Sequence, residues 1–197
     1  MTPDKIKEKL EDTLVVVSGI PRSGTSLLMQ MLQAGGMEIL ADQKREPDRN
    51  NPKGYLEFEA VKRLAKDNSC LQGQTGKAVK VISHLLKYLP DGEQKYKIIF
   101  INREMNEIIK SQRRMLRKDE KKYSKALIKA FLKELKVVKK WVKREPDKEL
   151  INVQFKSIIK NPMKEIEKII QFLEVPLDKK KMKEAVEPSL YRSKIGE

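Results

Sequence analysis

Cysteine is almost missing from this chain: Cys70 stands alone among 197 residues. A single thiol excludes an internal disulfide and any cysteine-rich metal site. Histidine is as scarce, so any imidazole chemistry rests on His84. Aromatic residues make up 6% of the chain, with one tryptophan, too few for a base-stacking nucleic-acid platform. No apolar run approaches the length of a membrane span, and Met1 to Thr13 has no apolar signal-peptide core. A cytoplasmic protein is expected. Internal repeats and flexible linkers are lacking as well, so one domain over 1–197 is expected, with 1–12 as a charged N-terminal arm. The length suffices for a sizeable single core. Acidic residues fall short of basic ones, 28 against 43, for a net charge of +15. Such a field favours anionic ligands or surfaces without choosing among nucleotide, sulfated glycan, nucleic acid and membrane.

What is present is organised around one stretch. The β-branched run Val15-Val16-Val17 stops at Ser18-Gly19, and Ile20-Pro21-Arg22-Ser23-Gly24 follows. From Thr25-Ser26 on, apolar residues recur at 27, 28, 31 and 32, the spacing of one helix face, and Gly35-Gly36 ends the helix. Strand, glycine loop and helix in this order aim backbone N–H groups and the positive end of a helix dipole at one point, which suits a phosphate. Gly19 and Gly24 have Walker A spacing, but Thr25 stands where that motif has lysine. The loop's cation is Arg22 instead. A nucleotide triphosphatase needs the lysine and a Mg²⁺ site; a loop with glycines, hydroxyls and one cation can still hold a phosphate.

Apolar patterning predicts further strands at 37–40, 77–82, 96–101 and 150–155, the 96–101 strand interior to the sheet, and helices at 4–11, 57–71, 104–116, 123–142, 161–173 and 178–186. In the 57–71 helix Val61, Leu64 and Ala65 face inward, and Leu127, Phe131, Leu135, Val138 and Val142 form one stripe of the long helix. Residues 41–54 are a loop. Strands alternating with helices imply an α/β fold, a single parallel sheet flanked by helices, with ligands at the carboxyl ends of the strands.

Pro21-Arg22-Ser23-Gly24-Thr25 resembles the 5′-phosphosulfate loop of sulfotransferases, which use 3′-phosphoadenosine 5′-phosphosulfate (PAPS). The run from Tyr96 to Arg103, then Ile108-Ile109-Lys110-Ser111, resembles that family's 3′-phosphate segment. Lys80 to Pro90 looks like the segment in which a strand ends in lysine and histidine ahead of Leu-Pro, except that His84 lies four residues after Lys80, where the cytosolic pattern has two. Phe155 to Leu173 is similar to the late strand and Asn-Pro helix, with Phe155-Lys156-Ser157 in place of the usual Tyr-Glu-Asp. The loop 48–57 looks most like short bacterial members. The resemblance implies a P-loop nucleotide-hydrolase-like fold of the sulfotransferase type. It implies PAPS as donor, adenosine 3′,5′-bisphosphate (PAP) as product, no metal, and transfer to a hydroxyl or amine.

On that resemblance Arg22, Ser23, Gly24, Thr25 and Ser26 hold the 5′-phosphosulfate, and Arg103 with Ser111 holds the 3′-phosphate. Arg22 and Lys80 stabilise charge on the sulfuryl oxygens, and Arg192 in the basic tail closes over the donor. Some members take the acceptor's proton on histidine, others on a glutamate after the second strand. Glu57 and His84 are the leading candidates, with Asp48, Glu59 and Glu46 behind them. The two clamps are expected to act separately: Arg103→Ala erases the preference for PAP and leaves a 5′-monophosphate almost unaffected. From Lys110 to Arg144 fifteen basic residues face three acidic ones, either a solvated pair of helices or a patch for an anionic surface or polymer. Two rival functions remain, a P-loop kinase of a nucleotide or small molecule, and a non-enzymatic basic module binding nucleic acid or anionic glycan.

Overall fold

The computed structural model describes residues 3–42, 44–48, 51–116, 125–142 and 144–190. Helix α1 (Pro3–Lys9) leads into β1 (Thr13–Ser18), a strand buried along its whole length. The lead-in is charged on one side only, since Ile6 and Leu10 are buried in the core. Helix α2 (Thr25–Ala34) follows the glycine loop, then the short strand β2 (Glu38–Ile39). Strands β3 (Lys77–Lys80) and β4 (Lys95–Asn102) are followed by α3 (Met105–Leu116) and α4 (Lys125–Val142). Strand β5 (Lys148–Gln154), α5 (Phe155–Lys160), α6 (Pro162–Leu173) and α7 (Lys179–Glu184) complete the order.

All pairings between the five strands are parallel, in the order β2-β3-β1-β4-β5. Such a sheet needs cover on both faces. Residues of α1, α2, α5, α6 and α7 close one face around Val15, Val17 and Ile99. The other is covered by Val61, Leu64, Leu86 and the α4 residues Val138 and Val142, packed on Val16 and Ile98. The chain moves from β1 out to β2, returns to β3 beside β1, and crosses to β4 on β1's other side. That reversal opens a crevice at the carboxyl end of β1, the customary ligand position in such sheets.

Several expectations need correction. Residues 57–71 form no α-helix but two 3₁₀ turns, Glu59–Arg63 and Ser69–Leu71, and Ala65 is exposed. Apolar residues there are too sparse to bury a continuous helical stripe, so Val61, Leu64 and Leu71 anchor separate turns. Strand β3 stops at Lys80, and Phe155 begins α5 rather than ending β5. In α4, Val138 and Val142 are buried and Leu135 partly so, while the side chains of Leu127 and Phe131 lie outside the described set. Arg192 and the tail 191–197 also lie outside the described residues, as do 117–124. No described helix is long and apolar enough to cross a membrane.

Candidate active site

Four strand ends meet at the glycine loop. Strand β1 runs into Gly19, β3 ends on Lys80, β4 delivers Asn102 and Arg103, and β5 passes into Phe155. Close packing dictates the glycines. A Cβ on Gly19 would lie 2.4 Å from Ser23 Oγ and 2.9 Å from the Ile101 carbonyl oxygen. Gly24 has φ of 110°, and a Cβ there would lie 2.4 Å from the Phe155 ring. Arg22 also has positive φ, 76°, a strained state for a residue with a side chain and one that collects at ligand sites. The hydroxyls of Ser18 and Ser23 are buried and, among the described residues, lack a hydrogen-bond partner. The orphaned Ser23 hydroxyl in the loop, with the first N–H groups of α2, which have no intrahelical partner, fits an anion there.

Arg103 and Ser111, distant in sequence, converge on this loop. Arg22 Nε donates to Ser111 Oγ at 3.1 Å, and Arg103 Nη1 donates to the Arg22 carbonyl at 3.1 Å. Gln112 Nε2 donates to the Pro21 carbonyl at 3.3 Å. The Arg103 guanidinium stacks 4.2 Å from the centroid of the Phe155 ring, and its Nε donates to Glu107 Oε2 at 2.9 Å. Beside them opens a cleft of about 350 Å³ bordered by Ser23, Asn102, Arg103, Leu132 and Gln154.

These contacts revise the expectation of two separate clamps. Arg103 supports the backbone of the loop itself. Arg103→Ala is therefore expected to weaken binding of adenosine 5′-monophosphate (AMP) as well as PAP. The loss for AMP should be about tenfold, the order of one charge-assisted hydrogen bond. Calorimetry with both ligands checks this; an unchanged AMP affinity would restore the two-clamp view.

On the other side of the loop, Lys80 reaches in from β3. Its Nζ donates to the Tyr55 carbonyl and, at 3.0 Å, to Ser26 Oγ, and lies 3.6 Å from Glu57 Oε1. The Lys80 side chain is 5% exposed and that of Glu57 21%. Burial pushes the Lys80 ammonium down to about 8 against the opposing pull of Glu57. Arg45 Nη1 donates to both Glu57 oxygens, at 3.0 and 3.3 Å, and lies flat on the Tyr55 ring at 3.4 Å. The Tyr55 hydroxyl donates to the Asp48 carboxylate at 3.0 Å. Leu56, with φ of 49°, lies between the two groups that face Lys80.

Of the predicted site residues, the structure brings together Arg22, Ser23, Gly24, Thr25, Ser26, Arg103 and Ser111, and beside them Lys80 and Glu57. His84 lies exposed on a 3₁₀ turn, Ser83–Tyr88, and among the described residues its side chain has no partner. Glu46 is exposed, Glu59 pairs with Lys62 at the surface, and Asp48 holds Tyr55. No three His, Cys, Asp or Glu side chains gather as a metal site among the described residues. Sequence reasoning missed Arg45, Tyr55 and Glu107. Only Glu107 left a signal, an acid four residues from Arg103 and just inside a helix. On α4, Lys129, Lys133, Lys136 and Lys140 are exposed.

A family model described as "Sulfotransferase domain" matches residues 12–194. No curated protein matches the sequence. Among solved structures, mouse sulfotransferase SULT7A1 complexed with PAP superimposes at a TM-score of 0.54 with 19% identity, over 94% of this chain and 68% of its own. The sulfotransferase domain from the curacin biosynthetic pathway does so at 0.51 with 11% identity, over 91% of this chain and 82% of its own. A sugar kinase from Janibacter sp., 16% identical over 90% of this chain and 97% of its own, reaches 0.46, too distant to bear on the fold. The two sulfotransferase structures speak for the fold alone, whereas the family model spans the strand–loop–helix frame and nearly all that follows it: the chain belongs to the sulfotransferase family.

Proposed function

We propose that the protein transfers the sulfuryl group of PAPS to a hydroxyl or amine acceptor. The observation that carries this reading is the line from Ser26 of the loop to Lys80 at 3.0 Å and on to Glu57 at 3.6 Å. It supports the reading by lining up a glycine loop, a lysine and a carboxylate. Arg22, Ser23, Gly24, Thr25 and Ser26 hold the 5′ end of the donor, and Arg103 with Ser111 holds its 3′-phosphate. Lys80 and Arg22 balance charge on the sulfuryl and bridging oxygens. The acceptor oxygen or nitrogen forms a bond to sulfur as the bond from sulfur to the bridging oxygen breaks. The acceptor's proton passes to Glu57, and PAP leaves with the bridging oxygen. Positioning and electrostatics do most of this work. What supports Glu57 over His84 is its partnership with Lys80, against an exposed imidazole without one. The net charge of +15 raises the local concentration of a polyanionic donor. Against a kinase stand the arginine in the loop and the basic ends of β3 and β4, where a nucleotide triphosphatase would need an acidic metal ligand.

Calorimetric titration with PAP, AMP and ATP, each with and without EDTA, tests the reading. PAP is expected to bind at least about tenfold tighter than AMP, the order of one charge-assisted hydrogen bond to the extra phosphate, and to do so in EDTA. Equal affinity for PAP and AMP would sink the assignment of Arg103 and Ser111. A strict Mg²⁺ requirement with ATP preferred would favour the kinase.

A further inference from the structure

Glu107 sits in the first turn of α3, and its side chain is even more buried than that of the arginine it faces: the Arg103 and Glu107 side chains are 8% and 5% exposed. A carboxylate placed beside an anion-binding loop repels the ligand, so its presence there needs a reason. The hydrogen bonds supply one. Glu107 Oε2 accepts from Arg103 Nε at 2.9 Å, and Nη1 of the same guanidinium reaches the Arg22 carbonyl at 3.1 Å. The face of that guanidinium rests on Phe155, whose ring also closes on Gly24. The Arg22 carbonyl belongs to the residue with φ of 76°, a backbone state that surrounding contacts must hold in place.

We propose that Glu107 is a positioning residue for donor binding. It orients Arg103, and through Arg103 it holds the Arg22 peptide, and with it the N–H groups of the loop, in the anion-binding form. Contact with the ligand is not part of its role. The inference rests on the donor-binding reading above, but only on the loop's hold of a 5′-phosphate, not on the second phosphate or on sulfuryl transfer.

Glu107→Gln keeps an oxygen that can accept from Arg103 Nε and removes the charge. Glu107→Asp keeps the charge and shortens the reach by one methylene. Each variant and the wild-type protein are titrated calorimetrically with AMP and with PAP, and their melting temperatures are recorded. If Glu107 positions, Glu107→Gln binds both ligands as tightly as the wild type or more tightly. Glu107→Asp then binds both about tenfold more weakly, on the scale of one lost charge-assisted hydrogen bond. If the carboxylate acts only by its charge, Glu107→Asp keeps the wild-type affinity for both ligands while Glu107→Gln gains affinity, and that unchanged Glu107→Asp value overturns the inference. Lowered melting temperatures with both affinities unchanged would overturn it too, leaving a structural ion pair. Equal wild-type affinity for PAP and AMP defeats the second-phosphate assignment alone; the AMP series of the two variants then decides the inference. A wild-type protein that binds neither ligand overturns both.

Discussion

Glu57→Gln is expected to reduce turnover on the true acceptor by roughly 10²–10⁴-fold, the usual cost of removing a positioned general base. Affinity for PAP should change little at a pH low enough for Lys80 to keep its proton in both proteins, because the other donor contacts come from the loop, Arg103 and Ser111. The amide keeps the shape of the carboxylate and an oxygen for Arg45. It removes the proton acceptor and the counter-charge of Lys80, a group whose ammonium Glu57 helps to retain. Lys80 then loses its proton at lower pH than in the wild type, so the residual activity of Glu57→Gln should fall off earlier on the alkaline side. His84→Asn is the paired control. Its imidazole is exposed and lies on the turn after β3, and turnover should stay within a few-fold of wild type. Steady-state kinetics of the two variants, with PAP calorimetry beside them, separates the cases. Normal turnover in Glu57→Gln would remove Glu57 from the mechanism, and loss in His84→Asn would put the imidazole in its place.

Lys80→Met carries the second large effect. An ammonium fixed where negative charge develops is worth about 10²–10³ in turnover, and methionine removes the charge at nearly constant volume. Burial holds the Lys80 ammonium near 8 rather than 10.5, which sets a pH window. Below about 8 the side chain is a cation, which is expected to attract the donor; as pH rises through that value the cation is lost. PAP affinity of the free wild-type protein should therefore decline above pH 8, and the alkaline limb of kcat/KM should fall in the same range. Donor saturation moves the limb of kcat upward, since a bound anion favours the ammonium. Lys80→Arg keeps its charge throughout this range, so its alkaline limb near 8 should vanish even though the longer fork fits the site less well. A limb that persists unchanged in Lys80→Arg would assign it to another group. Stability runs the opposite way. The folded value lies below the unfolded one, so between about 8 and 10.5 the unfolded chain binds more protons, and the Lys80 contribution to stability rises with pH across that window.

The sequence by itself determined the parts that depend on near neighbours along the chain. The buried β-branched run of β1, the glycines of the loop, the apolar face of α2 and the Asn161-Pro162 start of α6 each lie within a dozen residues. Local sterics and periodicity decide such features. The same spacings were enough for a parallel α/β sheet and for the loop at its carboxyl edge. Where the apolar pattern was thin, along 57–71, it suggested a helix and packing made 3₁₀ turns instead. Phe155 was legible as apolar, but its use was not: the ring closes on Gly24 and carries Arg103 from a different strand end. Tertiary structure alone decided how the charged side chains pair. Arg22 meets Ser111 across 89 positions, and Arg103 meets the Arg22 carbonyl across 81. Lys80 finds the Tyr55 carbonyl across 25. Such contacts leave no period in the sequence, because a long charged side chain can choose among many partners and only the register of neighbouring strands brings one within reach. The choice of Glu57 over His84 as the candidate base follows from that same fact: β3 ends at Lys80, turning the lysine toward the loop and leaving His84 on the solvent side of the next turn.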